Sequence, residues 1–250
     1  MVKLSIVNID DTKLYDKITS QKTKKCRLNS ECFKSTKNCE VCQNSYRGIV
    51  FVYREYILSR YCYYRNNIAQ LEKIKSEKII PNNFADLLCK TFENSTDISD
   101  LKTQIRVNIP KEIKGYCPYC MINEPNTFDH YFPKKHYPEF AFFSYNLVPC
   151  CSKCNTLKGD LIFSEDGERM FINFYFDDIM DIQFIKAKVY IDNEIPTVTY
   201  YLDINSSNKA KKIIEHHFAK LKLLDRYTER SISVLNEIQE QVKQINLKKI

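Results

Sequence analysis

At 250 residues, 44% hydrophobic and 28% charged, the chain has the length for one packed domain or a small module with flanks, and its composition excludes a disordered polymer. A formal charge of +7 permits a polyanionic partner without requiring one. No apolar run reaches the length of a membrane span and residues 1–8 are too polar for a secretory signal, so the expectation is a soluble, cytoplasmic protein with no membrane partner.

Residues 1–42 are polar, basic and turn-rich. They carry Cys26, Cys32, Cys39 and Cys42, which read either as a second zinc site or as free thiols in a basic arm whose lysines suit phosphates. Apolar side chains at helical spacing from Tyr46 through Val50, Tyr53, Ile57 and Tyr61 predict a helix over 46–62. A second is expected over about 66–79, stopped by Pro81, and a third over 84–92. Asp97 to Asp100 offer caps for a short helix over 101–107 that Pro110 ends. Cys62 and Cys89 fall within these patterns and read as core.

The character changes over residues 115–160, which hold five of the eleven cysteines, two of the four histidines and many turn formers, the make-up of a metal-organised module. Beyond it, residues 183–202 read as a β-hairpin turning at Asp192-Asn193. From Ser206 or Ser207 one long helix is expected nearly to the end, with Ile214, Phe218, Leu221, Ile232, Leu235, Val242 and Ile245 as its packing stripe. His216 and His217 read as surface positions on it, His136 as a surface-loop histidine or a phosphate contact, and the Tyr175-Phe176 pair as packing.

Cys117-Pro118-Tyr119-Cys120 and Cys151-Ser152-Lys153-Cys154 are two Cys-x-x-Cys knuckles. Together they can set four thiolates tetrahedrally around one zinc, a closed structural site with no open position for substrate. Cys150 is adjacent, but Cys151 gives the two-residue spacing, which leaves Cys150 as a small buried hydrophobe. Between the knuckles lies Asp129-His130, whose side chains a strand would send to opposite faces. Asn146-Leu147 precedes the second knuckle, and Asn155 and Lys158 follow it on one side of a helical turn.

This run of Cys117-x-x-Cys120, Asp129-His130, Pro133-Lys134, Asn146-Leu147, Cys151-x-x-Cys154-Asn155 and Lys158-Gly159-Asp160 resembles the HNH endonucleases, over about 45 residues. Asn155 stands where the family's last histidine is usual, a replacement found in active members. The resemblance implies a ββα-metal centre in which Asp129 and Asn155 hold a catalytic Mg²⁺ or Mn²⁺, His130 is the general base, Asn146 fixes the His130 ring and tautomer, and Lys158 contacts a phosphate. One carboxylate and one amide make a hard, incomplete oxygen shell of the kind Mg²⁺ and Mn²⁺ accept, with water and phosphate oxygens completing it. The zinc would staple a fold too small to hold itself by burial alone.

The expected fold is therefore α+β: a mostly helical region over 1–112, the nuclease module over 113–176, and a C-terminal hairpin and long helix over 177–250. The expected activity is hydrolysis of DNA phosphodiesters, leaving a 5′-phosphate and a 3′-hydroxyl. The motif is also similar to the nuclease subunits of bacterial anti-phage systems such as the Septu type, which implies restriction or antiviral defence and an ATPase partner, since the chain carries no phosphate-binding glycine loop of its own. Two other readings stand beside it: an RNA-directed nuclease, and a non-catalytic zinc-dependent module for nucleic-acid binding or assembly.

Overall fold

Aromatic rings set the packing of the chain. The computed structural model describes residues 3–21, 46–179, 181–192 and 195–247, so the arm with Cys26, Cys32, Cys39 and Cys42 lies outside the described residues. Helix α1 spans Asp11–Gln21 and α2 spans Tyr46–Asn66. Tyr61 of α2 stacks on Phe143 with ring centroids 4.3 Å apart, and Tyr64 meets Phe132, Phe140 and Phe143 edge-on at 5.4, 5.2 and 5.2 Å. Such pairs contribute directional attraction beyond their burial. These three phenylalanine rings come from one segment, residues 131–146, which joins two short strands; Tyr15, Phe84 and Phe176 also meet rings of α2.

Those strands are β1 (Thr127–His130) and β2 (Leu147–Cys150), antiparallel, with Asp129 opposite Val148 and His130 opposite Leu147. Helix α3 (Asn82–Asn94) begins directly after Pro81, and α4 (Thr96–Val107) follows it. After β2 comes the short helix α5 (Ser152–Lys158), then a hairpin of β3 (Ile185–Asp192) and β4 (Ile195–Leu202), then α6 (Asn208–Lys220) and α7 (Leu223–Leu247). The fold is mixed α+β, and among the described residues no helix is long and apolar enough to cross a membrane.

Several sequence expectations change. Residues 1–42 are not wholly turn-like: α1 forms because Asp10 Oδ1 accepts from the Lys13 amide at 3.0 Å and because Tyr15 and Ile18 are buried against the core. The helix expected over 66–79 shrinks to a 3₁₀ segment over Ile68–Lys73, kinked at Gln70 (φ −141°). The chain then runs extended, and the Lys75 carbonyl accepts from Arg60 at 2.7 Å rather than from a following turn. Helix α4 starts five residues earlier than expected, at Thr96. The long C-terminal helix breaks at Lys222, whose left-handed φ of +52° lets α7 leave α6 at an angle. Cys62 is exposed and Cys89 half-buried, so neither is core.

Charge pairs fix the helices to the 131–146 segment. Arg60 Nε donates to Glu139 at 3.0 Å, both side chains being almost wholly buried, and its Nη1 reaches Glu77 at 2.7 Å. Asp11 accepts from the Ser144 amide at 3.1 Å and from Arg65 at 2.7 Å. Removing one member of a buried pair leaves the other charge unpaired, and Glu139 Oε2 already has no hydrogen-bond partner among the described residues. Arg60→Met is expected to lower the unfolding free energy by about 3–5 kcal/mol, read as a lower urea midpoint at unchanged slope. A loss below about 1 kcal/mol would place this pair outside the forces that hold the segment.

Candidate metal centre and active-site cleft

The two knuckles meet in space. The four sulfur atoms of Cys117, Cys120, Cys151 and Cys154 are buried and lie within 4.8 Å of one another, while Cys150 stays outside the group. The first knuckle is a tight turn in which the Cys117 carbonyl accepts from the Cys120 and Met121 amides, with Met121 at φ +53°. The second is the start of α5: Cys151 is its N-cap, and its sulfur accepts from the Cys154 amide at 3.4 Å. Left to themselves the thiols compete for protons. Hydrogen bonding from Cys117 holds Cys120 below the ordinary thiol range and pulls Cys151 down to about 5, while bonds to its three neighbours push Cys117 up. A divalent cation resolves that competition by taking all four as thiolates. The all-sulfur donor set suits Zn²⁺ and leaves no open position. Arg226 of α7, itself buried, donates to the Cys154 sulfur at 3.4 Å and offsets part of the negative charge four thiolates bring.

Beside this cluster a cleft of about 450 Å³ is lined by Asp129, His130 and Asn155, together with Phe92, Lys102, Phe128 and Lys134. The strand alternation sends Asp129 towards α5 and His130 towards α3. Asp129 accepts from Tyr119 Oη at 2.6 Å and from Lys158 Nζ at 2.9 Å. An ionised carboxylate offers about four lone-pair positions, so two hydrogen bonds leave it able to bind a cation as well. Burial holds the Tyr119 phenol in its protonated, donating form. Asn155 Nδ2 donates to the Phe128 carbonyl at 3.4 Å, while its Oδ1 has no hydrogen bond among the described residues.

His130 Nε2 lies 3.1 Å from the Ala141 carbonyl. A carbonyl can only accept, so the proton sits on Nε2 and Nδ1 keeps a free lone pair. The ring packs edge-on against Phe92, with centroids 4.3 Å apart. Burial, helped by the charges of Lys134, Lys158 and Lys102, pushes its pKa down to about 3, so the imidazole is neutral at physiological pH.

Three expected roles change. Asn146 makes no side-chain hydrogen bond to the His130 ring among the described residues. Its Oδ1 accepts from the Phe132 amide at 2.8 Å, and its Nδ2 donates to the Phe132 and Phe140 carbonyls at 3.0 and 3.3 Å. It closes the segment whose Ala141 carbonyl does orient the ring, so its action on His130 is indirect. Lys158 does share a side of α5 with Asn155, but that side packs onto β1; its ammonium is wholly buried on Asp129 and the His130 carbonyl (3.0 Å), out of reach of a phosphate in the cleft. His217 is not a surface residue: it is fully buried, donating from Nε2 to the Tyr119 carbonyl at 2.9 Å and accepting on Nδ1 from the Ile172 amide at 3.3 Å. His136 is exposed, and Tyr175 is buried with its hydroxyl on the Leu147 carbonyl at 2.7 Å. Sequence reasoning passed over Tyr119 and Arg226 and placed His217 on the surface. Tyr119 was within reach because it sits inside the first knuckle, whereas no spacing announces contacts made from α6 and α7.

No protein-family model and no solved structure matches the chain. It is 29% identical over 177 residues to protein ea31 of Escherichia phage lambda, an alignment that covers 68% of this chain and 55% of that protein. The chain thus spans about half the length of this relative.

Purified protein should hold one zinc per chain in the described region. Cys151→Ser should lose it and loosen the centre, whereas Cys150→Ser should keep it; elemental analysis giving the opposite order would exchange the two residues' roles. A second expectation concerns acid. His217 takes up a proton near 6.5 when unfolded but only near 4 when folded, because burial disfavours the charged ring. The unfolded state therefore binds more protons as pH falls from 6.5 towards 4, and stability drops through that window. In His217→Gln the drop should be shallower; the same slope in both proteins would remove His217 from it.

Proposed function

We propose that this chain is a metal-dependent endonuclease of the HNH type, with a structural zinc at the four cysteines and a catalytic Mg²⁺ or Mn²⁺ between Asp129 and Asn155. One observation carries the reading. A carboxylate held by two donors, an amide oxygen without a partner and a neutral histidine of fixed tautomer line one cleft, next to four clustered cysteines. The strand–segment–strand–helix order of β1, residues 131–146, β2 and α5 is what a ββα-metal centre requires.

In this reading His130 Nδ1 takes a proton from a water as its oxygen attacks phosphorus. The bond from phosphorus to the 3′-oxygen breaks, and that oxygen leaves with a proton from solvent. Nε2–H stays on the Ala141 carbonyl, which holds the ring in line and stabilises the imidazolium as it forms. A bound divalent cation supplies charge neutralisation on the phosphate and the leaving oxygen. Lys158 and Tyr119 hold the Asp129 carboxylate in place by a hydrogen bond to each oxygen. Asn155, fixed by the Phe128 carbonyl, presents its Oδ1. DNA is the favoured substrate on the resemblance alone, and so is any place in anti-phage defence with an ATPase partner.

His130→Ala removes the base but no metal ligand, so zinc content and folding should be retained. DNA cleavage in Mg²⁺ should fall by about 10²–10⁴-fold, the span of general-base catalysis. Tyr119→Phe keeps the ring packing and removes one donor from Asp129. It should lower cleavage less, about tenfold or more, the worth of one charge-assisted hydrogen bond. Equal cleavage by His130→Ala and wild type would sink the proposal, and parallel assays on matched RNA would show which sugar is accepted.

A further inference from the structure

One wall of the cleft is not supplied by the module of residues 113–176. It is made by Phe92 and Glu93 of α3 and Lys102 of α4, and Arg106 stands one helical turn beyond Lys102, about 6 Å along the axis. Lys102 lines the cleft, and its Nζ lies 4.0 Å over the ring of Phe92, the ring that packs on His130. The Arg106 guanidinium lies 4.9 Å over Phe128, the residue before Asp129, and donates to the Asn126 carbonyl at 3.4 Å. Neither cation has a carboxylate within 4.0 Å among the described residues. Lys134, whose Nζ lies 5.4 Å from the same Phe92 ring, pairs with Glu93 at 2.8 Å, and Lys135 pairs with Asp160 at 3.5 Å. Lys102 and Arg106 are therefore cations without an ion pair of their own among the described residues, Lys102 feeling only the more distant attraction of Glu93, which is already paired with Lys134.

Unpaired surface cations usually extend into water. These two are instead drawn down by aromatic faces onto the rim, which orients them before any ligand arrives. Burial, together with repulsion from Arg106 and Lys134, lowers the pKa of the Lys102 ammonium, the condition an arriving anion relieves.

We propose that Lys102 and Arg106 form a phosphate track that holds the backbone of a nucleic-acid strand across the cleft. That the anion is a polynucleotide rests on the nuclease reading; that it is a row of phosphates rests on the paired spacing along α4. Backbone contacts of this kind position a strand without reading its sequence.

The test is binding of fluorescent DNA duplexes of two unrelated sequences by the full chain without Mg²⁺, over a range of salt. Lys102→Gln/Arg106→Gln should weaken binding equally for both sequences and reduce the slope of log affinity against log salt by about 0.9 for each lost contact. Lys209→Gln/Lys212→Gln makes the same charge change at lysines that are paired with Glu72 and Glu168, and should leave the slope unchanged. An unchanged slope in the α4 variant, or an equal change in the control, overturns the track. So does a mononucleotide that displaces the duplex at equal phosphate concentration, since that marks a single-phosphate pocket. A wild-type chain that binds no duplex overturns the track and the nuclease reading together. Undiminished cleavage by His130→Ala removes only the nuclease reading, because the track is read from the slope.

Discussion

Four cysteine sulfurs brought within 4.8 Å of each other, away from water, are the constraint on which the centre of this protein depends. Thiolates that close repel strongly, and thiols that close compete for protons, so the arrangement is one that could hold a divalent cation. Once tied, the cluster holds the turn over residues 117–121 against the first turn of α5. It thereby fixes the helix that carries Asn155 and Lys158 under the strand that carries Asp129.

From that tie, contacts run outward to the cleft along two routes. Tyr119, inside the first knuckle, donates to Asp129, and its carbonyl accepts from His217 of α6, so the knuckle positions the carboxylate directly. The other route comes from the helices. Tyr61, Tyr64, Arg60 and Asp11 hold residues 131–146 by ring stacking and buried charge pairs. Asn146 closes the same segment from within, and the segment presents the Ala141 carbonyl to His130. Carboxylate and imidazole are thus neighbours in sequence with different supports. A defect in the cysteine cluster should disturb Asp129 first, and a defect in the helical packing should disturb His130 first.

The parts legible in the sequence were those where chemistry demands a fixed local spacing. The two knuckles fixed which cysteines converge, and the two-residue rule separated Cys151 from Cys150. The alternating β-rich runs of residues 183–202 marked the hairpin that β3 and β4 form. What failed to show was set by contacts between residues far apart in the chain. Lys158 shares a helical face with Asn155, but only the docking of α5 onto β1 reveals that this face is buried. His217 looks like any helix-surface histidine until the Tyr119 carbonyl and the Ile172 amide are placed on either side of its ring. Polar residues 10–13 hid α1, whose apolar positions are few, and the left-handed turn at Lys222 has no glycine to announce it.

The central claim is that two different metals occupy two separate places, one for structure and one for chemistry. Anomalous diffraction at the zinc and manganese edges, from crystals grown with Mn²⁺, tests it most directly. The account predicts a zinc peak enclosed by Cys117, Cys120, Cys151 and Cys154, and a distinct manganese peak between Asp129 and Asn155 at oxygen-ligand distances of about 2.0–2.6 Å, with His130 free of both. Manganese absent from the cleft while zinc fills the cysteine site would contradict it.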